Sequence, residues 1–483
     1  MTSIKPTYHL SYLCHPLFIT YMTLIKSISG FRGTIGGKPS DNLTPLDAVK
    51  FASAYAGWLL TKSAGKKLKV VVGRDARPSG EMIQQLVQQT LVGCGIDVID
   101  LGLSTTPTVE MAVTFEEADG GIILTASHNP VEWNALKLLN NKGEFISAED
   151  GKALLEMVDR EEYVYAEVQD LGKVTVCTDA LEKHIQAILD LDFVNAEAIK
   201  KAKLKVAVDG VNSSGGFAIP LLLEKLGVSQ IEKLYCEPNG QFPHNPEPLE
   251  KHLGDIMGVV KDKDCDLGIV EDPDVDRLAF IMDGGKMFGE EYTLVAAADY
   301  LLHHKKGALV SNLSSSRALR DLGEKYGEKY FASAVGEVNV VHKMKEQNAV
   351  LGGEGNGGVI LPELHYGRDA LVGVAMVLSH LATSGKKLSQ LRSEYAQYFM
   401  AKNKIELKPG LDVDAILRQM QTNYGSENVS TIDGVKIDFA EEWVHLRKSN
   451  TEPIIRVYTE AKSQERATEL GARFVKELEE AAS

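Results

Sequence analysis

The chain has 483 residues, of which 44% are hydrophobic and 25% charged, and its formal net charge is −15. This composition is typical of a globular protein and excludes a disordered, collagenous or fibrous chain. At roughly 100–200 residues per domain, the length predicts about three or four domains. A strongly negative charge disfavours nucleic acid, whose binding depends on basic side chains, and anionic membranes. We therefore expect neither partner.

Residues 1–21 precede the first strand-like segment, and we interpret them as an N-terminal extension or tail. Their mildly apolar stretch His9–Tyr21 lacks a small-residue cleavage site, which disfavours a signal peptide. The sequence contains no run of about 18 apolar residues, so we expect no transmembrane helix. The five cysteines show no CxxC or metal-binding spacing, and their odd number favours the reducing cytoplasm.

Short apolar strands alternate with amphipathic segments along most of the chain. Lys67–Gly73, Asp97–Leu101 and Gly121–Leu124 are predicted as buried strands, and a helix is predicted over Ser79–Val92, where apolar residues recur at helical spacing. This order is typical of strand–helix–strand units with a mainly parallel sheet. The sequence therefore predicts an α/β fold.

The same pattern recurs further along the chain. Lys203–Asp209 begins a second block much as Lys67–Gly73 begins the first, and Ala308–Ser311 opens a third. Strand Ile454–Thr459 and a helix from Ser463 predict a smaller C-terminal α+β domain. We expect three related α/β units with mixed sheets and this fourth domain around a central cleft, with boundaries at 22–174, 175–281, 282–390 and 391–483.

Each of the three units has an apolar strand that leads into a polar loop. The loops are Thr125–Pro130, Glu271–Asp276 and Gly352–Gly358. In open α/β sheets, ligands bind beyond the carboxyl ends of the strands. These three loops are therefore expected to line one cleft.

Ser127 in the first loop has two interpretations. A hydroxyl at a strand-end turn is exposed and can be a nucleophile when a neighbouring cation or metal lowers the barrier to attack. Ser, Asn and Pro are also common turn residues, and on the residues alone Ser127-His128-Asn129-Pro130 favours a structural turn. The GxSxG glycines of hydrolases are absent around this serine.

The second loop carries Asp272, Asp274 and Asp276. In an extended loop this spacing would turn three carboxylates toward one side, where they offer the hard oxygen ligands that Mg²⁺ prefers. Solvated surface aspartates are the alternative, but three like charges so close repel one another without a cation. The spacing therefore favours a magnesium site, with Arg277 beside it as a candidate phosphate ligand.

The third and fourth loops are candidates for binding a sugar phosphate. Gly353, Gly355 and Gly358 form a literal GxGxxG, but no helix pattern follows it as a dinucleotide fold requires. A flexible turn or backbone that approaches a polyhydroxylated ligand remain alternatives, with Glu354 and Asn356 bonding hydroxyls. Arg447-Lys-Ser-Asn-Thr451 offers donors suited to a phosphate, or a plain turn beside a surface arginine.

These loops, in this order, resemble those of the α-D-phosphohexomutases, which include phosphoglucomutases, phosphomannomutases and phosphoglucosamine mutases. Gly30-Phe-Arg-Gly33 looks like the N-terminal arginine loop of the family, and the four loops above look like its phosphoserine, metal, sugar and phosphate loops. The resemblance runs from about Ser27 to the C-terminus. It implies an isomerase that moves a phosphoryl group within a hexose phosphate.

The resemblance also implies roles for individual residues. Ser127 would carry the phosphate and hold Mg²⁺ together with Asp272, Asp274 and Asp276. Lys137 would be the general base, although without the resemblance the residues favour a solvated surface lysine. The transferring group would be stabilised by Arg32, His128 and Arg277. The distal phosphate would be bound by Arg447, Ser449, Asn450 and Thr451.

The implied reaction interconverts hexose 6-phosphate and hexose 1-phosphate through a hexose 1,6-bisphosphate, which also serves as activator. Hexose phosphates are then the expected small-molecule partners, the location is cytoplasmic, and the chain is a monomer or homo-oligomer. Asn356 and Gly358 stand where bacterial relatives have serine and histidine, and the loop looks like that of archaeal-type phosphoglucosamine mutases. We therefore lean to glucosamine phosphate.

Three alternatives stay open. The first is a phosphomannomutase/phosphoglucomutase of broad specificity. The second is a Mg²⁺-dependent phosphatase that uses an aspartate of Asp272–Asp276 as nucleophile and leaves Ser127 idle. The third is a noncatalytic sugar-phosphate-binding protein that keeps the fold.

Overall fold

The computed structural model describes residues 22–27, 30–63, 65–406, 412–448 and 454–481. The first domain contains a seven-stranded mixed sheet. Its strands are β1 (Ile25–Ser27), β2 (Gly30–Thr34), β3 (Lys69–Arg74), β4 (Asp97–Leu103), β5 (Gly120–Leu124), β6 (Trp133–Leu139) and β7 (Val174–Val176). Its helices are α1 (Pro45–Lys62), α2 (Gly80–Gly93), α3 (Thr106–Phe115) and α4 (Ala148–Arg160), with a 3₁₀ turn at Val168–Asp170.

The strand order of this sheet is β1-β2-β6-β5-β3-β4-β7. Strand β3 pairs in parallel with β4 and β5, whereas β6 is antiparallel to both β5 and β2. Local chemistry fixes the helix starts. Thr44 and Asp47 form a capping box at α1, and Thr105 caps α3 by accepting the N–H of Thr108. The helix predicted over Ser79–Val92 is α2.

The second domain has a five-stranded sheet of order β12-β11-β10-β8-β9. Its elements are α5 (Ala180–Leu189), α6 (Ala196–Ala202), β8 (Lys205–Asp209), α7 (Gly215–Lys225), β9 (Gln230–Leu234), α8 (Gly254–Asp262), β10 (Leu267–Glu271), β11 (Leu278–Met282) and β12 (Lys286–Met287), with a 3₁₀ turn at Glu250–His252. Strand β8 is parallel to β9 and β10, and β11 returns antiparallel to β10. The metal loop is the connection between β10 and β11.

The third domain has a four-stranded sheet of order β14-β13-β15-β16. Its elements are α9 (Glu290–His304), β13 (Leu309–Asn312), α10 (Ala318–Tyr326), β14 (Tyr330–Ser333), α11 (Glu337–Gln347), β15 (Leu351–Glu354), β16 (Gly358–Ile360), α12 (Ala370–Ser384) and α13 (Leu388–Ser393). Strand β13 is parallel to β14 and β15, and β16 is antiparallel to β15. The sugar loop is the turn between β15 and β16.

The fourth domain is an antiparallel sheet of order β17-β21-β20-β19-β18 with two helices. Its elements are β17 (Phe399–Glu406), α14 (Val413–Asn423), β18 (Asn428–Ser430), β19 (Val435–Asp438), β20 (Trp443–Lys448), β21 (Ile454–Ala461) and α15 (Gln464–Ala481). The predicted apolar face of the last helix is buried, since α15 buries Ala467, Leu470, Phe474 and Leu478. The expected fold class, three mixed-sheet α/β units and a smaller α+β domain, is confirmed.

The domains pack through named contacts that position the site. The second and third domains share one apolar core, in which Ile219, Phe280, Val295 and Leu378 are fully buried or nearly so. The fourth domain is attached through Arg317, whose guanidinium donates to the Asp438 carboxylate and to the carbonyls of Phe439, Ala440 and Glu442 at 2.7–3.1 Å. These contacts join the second, third and fourth domains to one another.

None of the helices in the described part of the chain combines the length and the hydropathy needed to cross a membrane. The described cysteines Cys94, Cys177, Cys236 and Cys265 are all free thiols.

Candidate active site

The loop Thr125–Pro130, called the serine loop below, follows β5 and is hydrogen-bonded to a buried arginine. The guanidinium of Arg77 donates to the carbonyls of Ser127 at 2.5 Å and Asn129 at 2.7 Å, and also to two further carbonyls of this segment. Asp75 orients Arg77 by accepting its Nε–H at 2.9 Å. Ser127 itself has a left-handed φ of 50°, which is uncommon for a residue with a side chain. The loop is therefore fixed in a conformation that the backbone alone disfavours.

The metal loop gathers its carboxylates by a turn. Val275 has a φ of 65°, and its N–H donates to the carbonyl of Asp272 at 3.0 Å. The N–H groups of Asp276 and Arg277 donate to Asp272 Oδ1 at 3.2 and 3.1 Å. The prediction of an extended loop is therefore wrong, because Val275 adopts a left-handed conformation that turns the chain back on itself. One carboxylate oxygen from each aspartate lies within 4.8 Å of the other two.

The serine and metal loops meet through direct hydrogen bonds. Ser127 Oγ donates to Asp272 Oδ2 at 2.6 Å and lies 3.4 Å from His128 Nδ1. Thr106, at the start of α3, donates its hydroxyl to Asp274 Oδ2 at 2.6 Å. Two hydroxyls of the first domain are thus hydrogen-bonded to carboxylates of the second.

Lys137 lies on β6, in register with Gly30 of β2 and Ile123 of β5. Its ammonium donates to Asp274 Oδ2 at 2.6 Å and to Asp276 Oδ2 at 3.3 Å. Burial alone would lower the pKa of Lys137, but the two aspartates outweigh burial and raise it. Lys137 is therefore a buried cation, and the solvated lysine that sequence reasoning left open is excluded by its burial.

The three aspartates suit a hard divalent cation. All three are fully buried, and Asp274 Oδ1 and Asp276 Oδ1 have no hydrogen-bond partner among the described residues. Burial, together with the charges of Asp274 and Asp276, raises the pKa of Asp272 well above its usual range. Buried carboxylate oxygens without donors are the groups that a magnesium ion coordinates, so the donor set fits this metal.

Two arginines and a histidine line the cavity together with Ser127. Arg32 Nη1 donates to Asn129 Oδ1 at 2.9 Å. Arg277 approaches Asp272 Oδ2 at 4.0 Å and Glu247 Oε1 at 3.5 Å. Burial and the charges of Arg277 and Arg32 lower the pKa of His128 to about 2, so its imidazole is neutral. An arriving anion would meet two guanidinium groups here.

The sugar loop presents one carboxylate and is itself tightly packed. Glu354 accepts hydrogen bonds from Asn312 Nδ2 at 2.8 Å and from the N–H of Gly336 at 3.0 Å. Asn356 Oδ1 accepts the N–H of Gly358 at 3.3 Å, which is a bond within the turn. A Cβ at Gly357, where φ is 90°, would collide with the carbonyl of Leu278. The close approach that glycine permits here is to β11 and the metal loop.

The fourth domain reaches the site through Arg447, at the end of β20. Its Nε lies 2.9 Å from Asp433 Oδ2, and that oxygen also accepts the N–H of Val335 at 3.0 Å. Ser449, Asn450 and Thr451 lie outside the described residues.

A cavity of about 480 Å³ lies where these loops converge. The charged and polar groups that line it come from the first three domains and include Arg32, Ser127, His128, Lys137, Arg277, Glu337, Glu354 and Arg368. Arg447 is connected to it through Asp433 and Val335. A larger groove of about 760 Å³ lies beside β4 and β7, far from these loops along the sheet, and is lined by residues of both charges and by apolar strand residues.

Several residues of this site were missed by sequence reasoning. They are Arg77, Thr106, Glu337 and Arg368. Arg368 is buried and lines the cavity, although its sequence neighbourhood carries no catalytic motif. The available signal was a charged pair, Arg368-Asp369, placed immediately before the strongly apolar helix α12, where a charge must find a buried partner.

A second group of possible metal ligands lies behind the site, formed by His184, His365 and Asp369. Asp369 Oδ2 accepts from His184 Nε2 at 2.9 Å and from His365 Nε2 at 3.3 Å. The other ring nitrogens face Thr108 Oγ1 at 3.0 Å and Glu110 Oε2 at 3.3 Å. Hydrogen bonds and an ion pair therefore account for this group, which ties the first three domains together.

Four sequence families cover the fold and match the chain in order. They are described as phosphoglucomutase/phosphomannomutase alpha/beta/alpha domains I, II and III, at residues 24–164, 182–285 and 289–398, and the C-terminal domain, at residues 400–477. The chain belongs to the phosphoglucomutase/phosphomannomutase family. It is accordingly an isomerase of the phosphohexomutase class, and the resemblance seen in the sequence is confirmed.

Individual relatives agree with this assignment. A phosphoglucomutase/phosphomannomutase of Thermococcus kodakarensis is 37% identical over 93% of this chain and 98% of its own length. A phosphoglucosamine/phosphogalactosamine mutase of Sulfurisphaera tokodaii is 32% identical over 91% and 96%. The crystal structure of a phosphoglucomutase/phosphomannomutase family protein from Burkholderia thailandensis shares the fold, with a TM-score of 0.81 at 24% identity over 94% and 96% of the two chains.

Proposed function

We propose that this enzyme interconverts hexose 6-phosphate and hexose 1-phosphate through a phosphoserine at Ser127 and a hexose 1,6-bisphosphate intermediate. The observation that carries the proposal is the hydrogen bond of 2.6 Å from Ser127 Oγ to Asp272, at the wall of the cavity and beside three buried carboxylates. A structural turn would not require a serine aimed at such a cluster. The nucleophile interpretation is therefore the better supported one.

Asp272, Asp274 and Asp276, together with a phosphate on Ser127, would hold Mg²⁺. When bound, the ion would neutralise carboxylate and phosphoryl charge, which is the main demand of phosphoryl transfer. The protein contributes positioning and further positive charge through Arg32 and Arg277.

Proton transfer is assigned to Lys137. Its ammonium lines the cavity next to Ser127 and is held protonated by Asp274 and Asp276. The sugar hydroxyl must lose a proton when it accepts the phosphoryl group, and only the neutral amine of Lys137 can take that proton. The ammonium would therefore first pass its own proton to the adjacent carboxylate of Asp274 or Asp276. His128 is neutral and can donate a hydrogen bond to a phosphoryl oxygen.

One serine must serve both ends of the sugar, so the bisphosphate has to reorient within the site. We assign the distal phosphate to Arg447, Ser449, Asn450 and Thr451, and the sugar hydroxyls to Glu354 and Asn356. Closure of the fourth domain over the substrate would keep water away from the phosphoserine. The contact of Asp433 with Val335 shows where the fourth domain already touches the wall of the cavity.

For the sugar we lean to glucosamine phosphate. Two carboxylates, Glu337 and Glu354, line the cavity, and both share the single guanidinium of Arg368. The lining as a whole carries more cations than carboxylates, but around Arg368 the carboxylates outnumber the guanidinium. This local excess of negative charge suits the ammonium at C2 of glucosamine, which neither glucose nor mannose carries. A broad phosphomannomutase/phosphoglucomutase activity is the alternative, since the relatives above carry both kinds of name.

The test compares turnover of glucose, mannose and glucosamine phosphates with Mg²⁺ and a trace of the matching 1,6-bisphosphate. We expect glucosamine phosphate to dominate, whereas comparable rates would support the broad activity. Mass spectrometry after incubation with the bisphosphate should place one phosphate on Ser127. An aspartyl phosphate would instead indicate the phosphatase, and binding without turnover would indicate the noncatalytic protein.

We further propose four domains close to 22–174, 175–281, 282–390 and 391–483. Truncations should move these cuts outside the elements that they divide, which are β7 in the first sheet, β11 in the second and α13, and should keep β12 with the second sheet. The free thiols suit a reducing cytoplasm as the place of action.

A further inference from the structure

Arg368 is a side chain of the cavity wall that contacts three carboxylates. Its guanidinium donates to three carboxylates at 2.7–3.1 Å: Nη2 to Asp276, Nη1 to Glu354 and Nε to Glu337. It is 8% exposed and lines the cavity. The planar fork of an arginine can bind several carboxylates at fixed angles, which a lysine cannot do.

These carboxylates belong to different functional loops. Asp276 is in the metal loop of the second domain, and Glu354 ends β15 at the sugar loop of the third. Asp276 Oδ2 also accepts from Lys137 of the first domain at 3.3 Å. Arg368 is therefore one residue that links the sugar loop to the metal loop and, through the shared Asp276 Oδ2, to the candidate proton-transfer group.

The backbone of Arg368 is held in place on both sides of the side chain. Its own N–H donates to Glu337 Oε1 at 3.0 Å. The next residue, Asp369, caps α12 by accepting the N–H groups of Leu371 and Val372. These contacts restrict the guanidinium to its present partners. Its position is therefore tied to the positions of the sugar loop and the metal loop.

We propose that Arg368 is a positioning residue that couples the sugar loop to the metal loop. Its guanidinium orients Glu354 toward the sugar and, at the same time, forms a hydrogen-bonded ion pair with Asp276. The kinetic part of this inference rests on the proposed function, but the competition for Asp276 does not. Because the guanidinium neutralises an oxygen of the aspartate triad, it opposes the binding of a divalent cation there. Its removal should therefore affect cation binding and catalysis in opposite directions.

The experiment uses Arg368→Met, which keeps an unbranched apolar stem and removes the guanidinium and its charge. Calorimetric titration with Mg²⁺ should show binding roughly tenfold tighter than in the wild type, the size typical of a coupling between neighbouring sites. In the mutase assay kcat/KM should fall by roughly 100-fold, because Glu354 loses its orientation. Arg368→Lys should restore the wild-type Mg²⁺ affinity and only part of the activity.

Arg392→Met is the matched control. Arg392 is a partly buried arginine that donates to the carbonyl of Phe288 and stacks on Tyr292, away from the cavity. It should leave both Mg²⁺ affinity and kcat/KM unchanged. A loss of both quantities in Arg368→Met would show a structural role only, and wild-type values of both would overturn the coupling. A wild-type enzyme inactive on every sugar would reject the proposed function, while the Mg²⁺ titration would still decide the competition for Asp276.

Discussion

The side chains at the two ends of the cleft differ in their burial and in how firmly hydrogen bonds fix them. At the reacting end, Ser127, Asp272 and Asp274 are buried and joined to residues of two domains by hydrogen bonds of 2.6 Å. At the proposed distal phosphate site, the side chain of Arg447 is 20% exposed and pairs with the single carboxylate of Asp433. A site that positions phosphoryl transfer needs rigidity, whereas one that accepts either end of a sugar bisphosphate needs freedom. The difference therefore predicts distinct kinetic effects at the two ends.

Ser127→Ala tests the reacting end most severely. Without the hydroxyl no phosphoserine forms, so turnover should fall by more than about 10³-fold. The fold should persist, because Arg77 binds the carbonyl of residue 127 and not its side chain. Stopped mutase assays and circular dichroism measure the two quantities. Ser389→Ala, which removes a hydroxyl bonded to Asp283 far from the cavity, is the control, and substantial activity in Ser127→Ala would remove the phosphoserine from the proposal.

Asp274→Asn should also act on turnover. The carboxylate binds Thr106 and Lys137, and its Oδ1 has no hydrogen-bond partner among the described residues. The amide keeps the shape but loses the charge, so kcat should drop by roughly 10²–10³-fold, as for other preorganised electrostatic groups. The Mg²⁺ concentration for half-maximal activity should rise. Asp262→Asn, at an exposed helix end of the same domain, should change neither; an unaltered Mg²⁺ titration of Asp274→Asn would make this loop structural.

Arg447→Ala tests the distal end and should give the opposite kinetic pattern. Loss of one charge-assisted contact to the phosphate should raise KM by roughly tenfold. The value of kcat should change much less, because Arg447 lies outside the cavity wall formed by the reacting groups. Arg418→Ala, an exposed arginine of α14 in the same domain, is the matched control. Equal effects on kcat and KM would contradict the division between the two ends.

Sequence reasoning reached the loops of the site because each follows a local pattern, an apolar strand that leads into polar residues. Ser127 and the three aspartates were found in this way. Arg368 was not, since its contact with Asp276 spans 92 residues of chain and exists only after two domains pack. The geometry of the aspartates was also missed, because a left-handed valine has no sequence signature.

The group behind the site offers the last and smallest effect, on stability. Burial alone would lower the pKa of His365, but Asp369 and Glu110 outweigh burial and raise it to about 10. A histidine whose folded pKa exceeds its usual 6.5 stabilises the protein fully below pH 6.5, and this contribution is lost as the pH rises toward about 10. His365→Gln should therefore lower the free energy of unfolding by about 3 kcal/mol near pH 6.

The difference between wild type and His365→Gln should shrink steadily between pH 6.5 and about 10, which urea unfolding at several pH values would measure. The exposed His342 of α11 supplies the control variant His342→Gln, for which no such trend is expected. A difference that stays constant with pH would show that His365 is neutral in the folded protein. The ion pair with Glu110 would then be absent, while the bond from Thr108 to His184 would still join the first domain to the second.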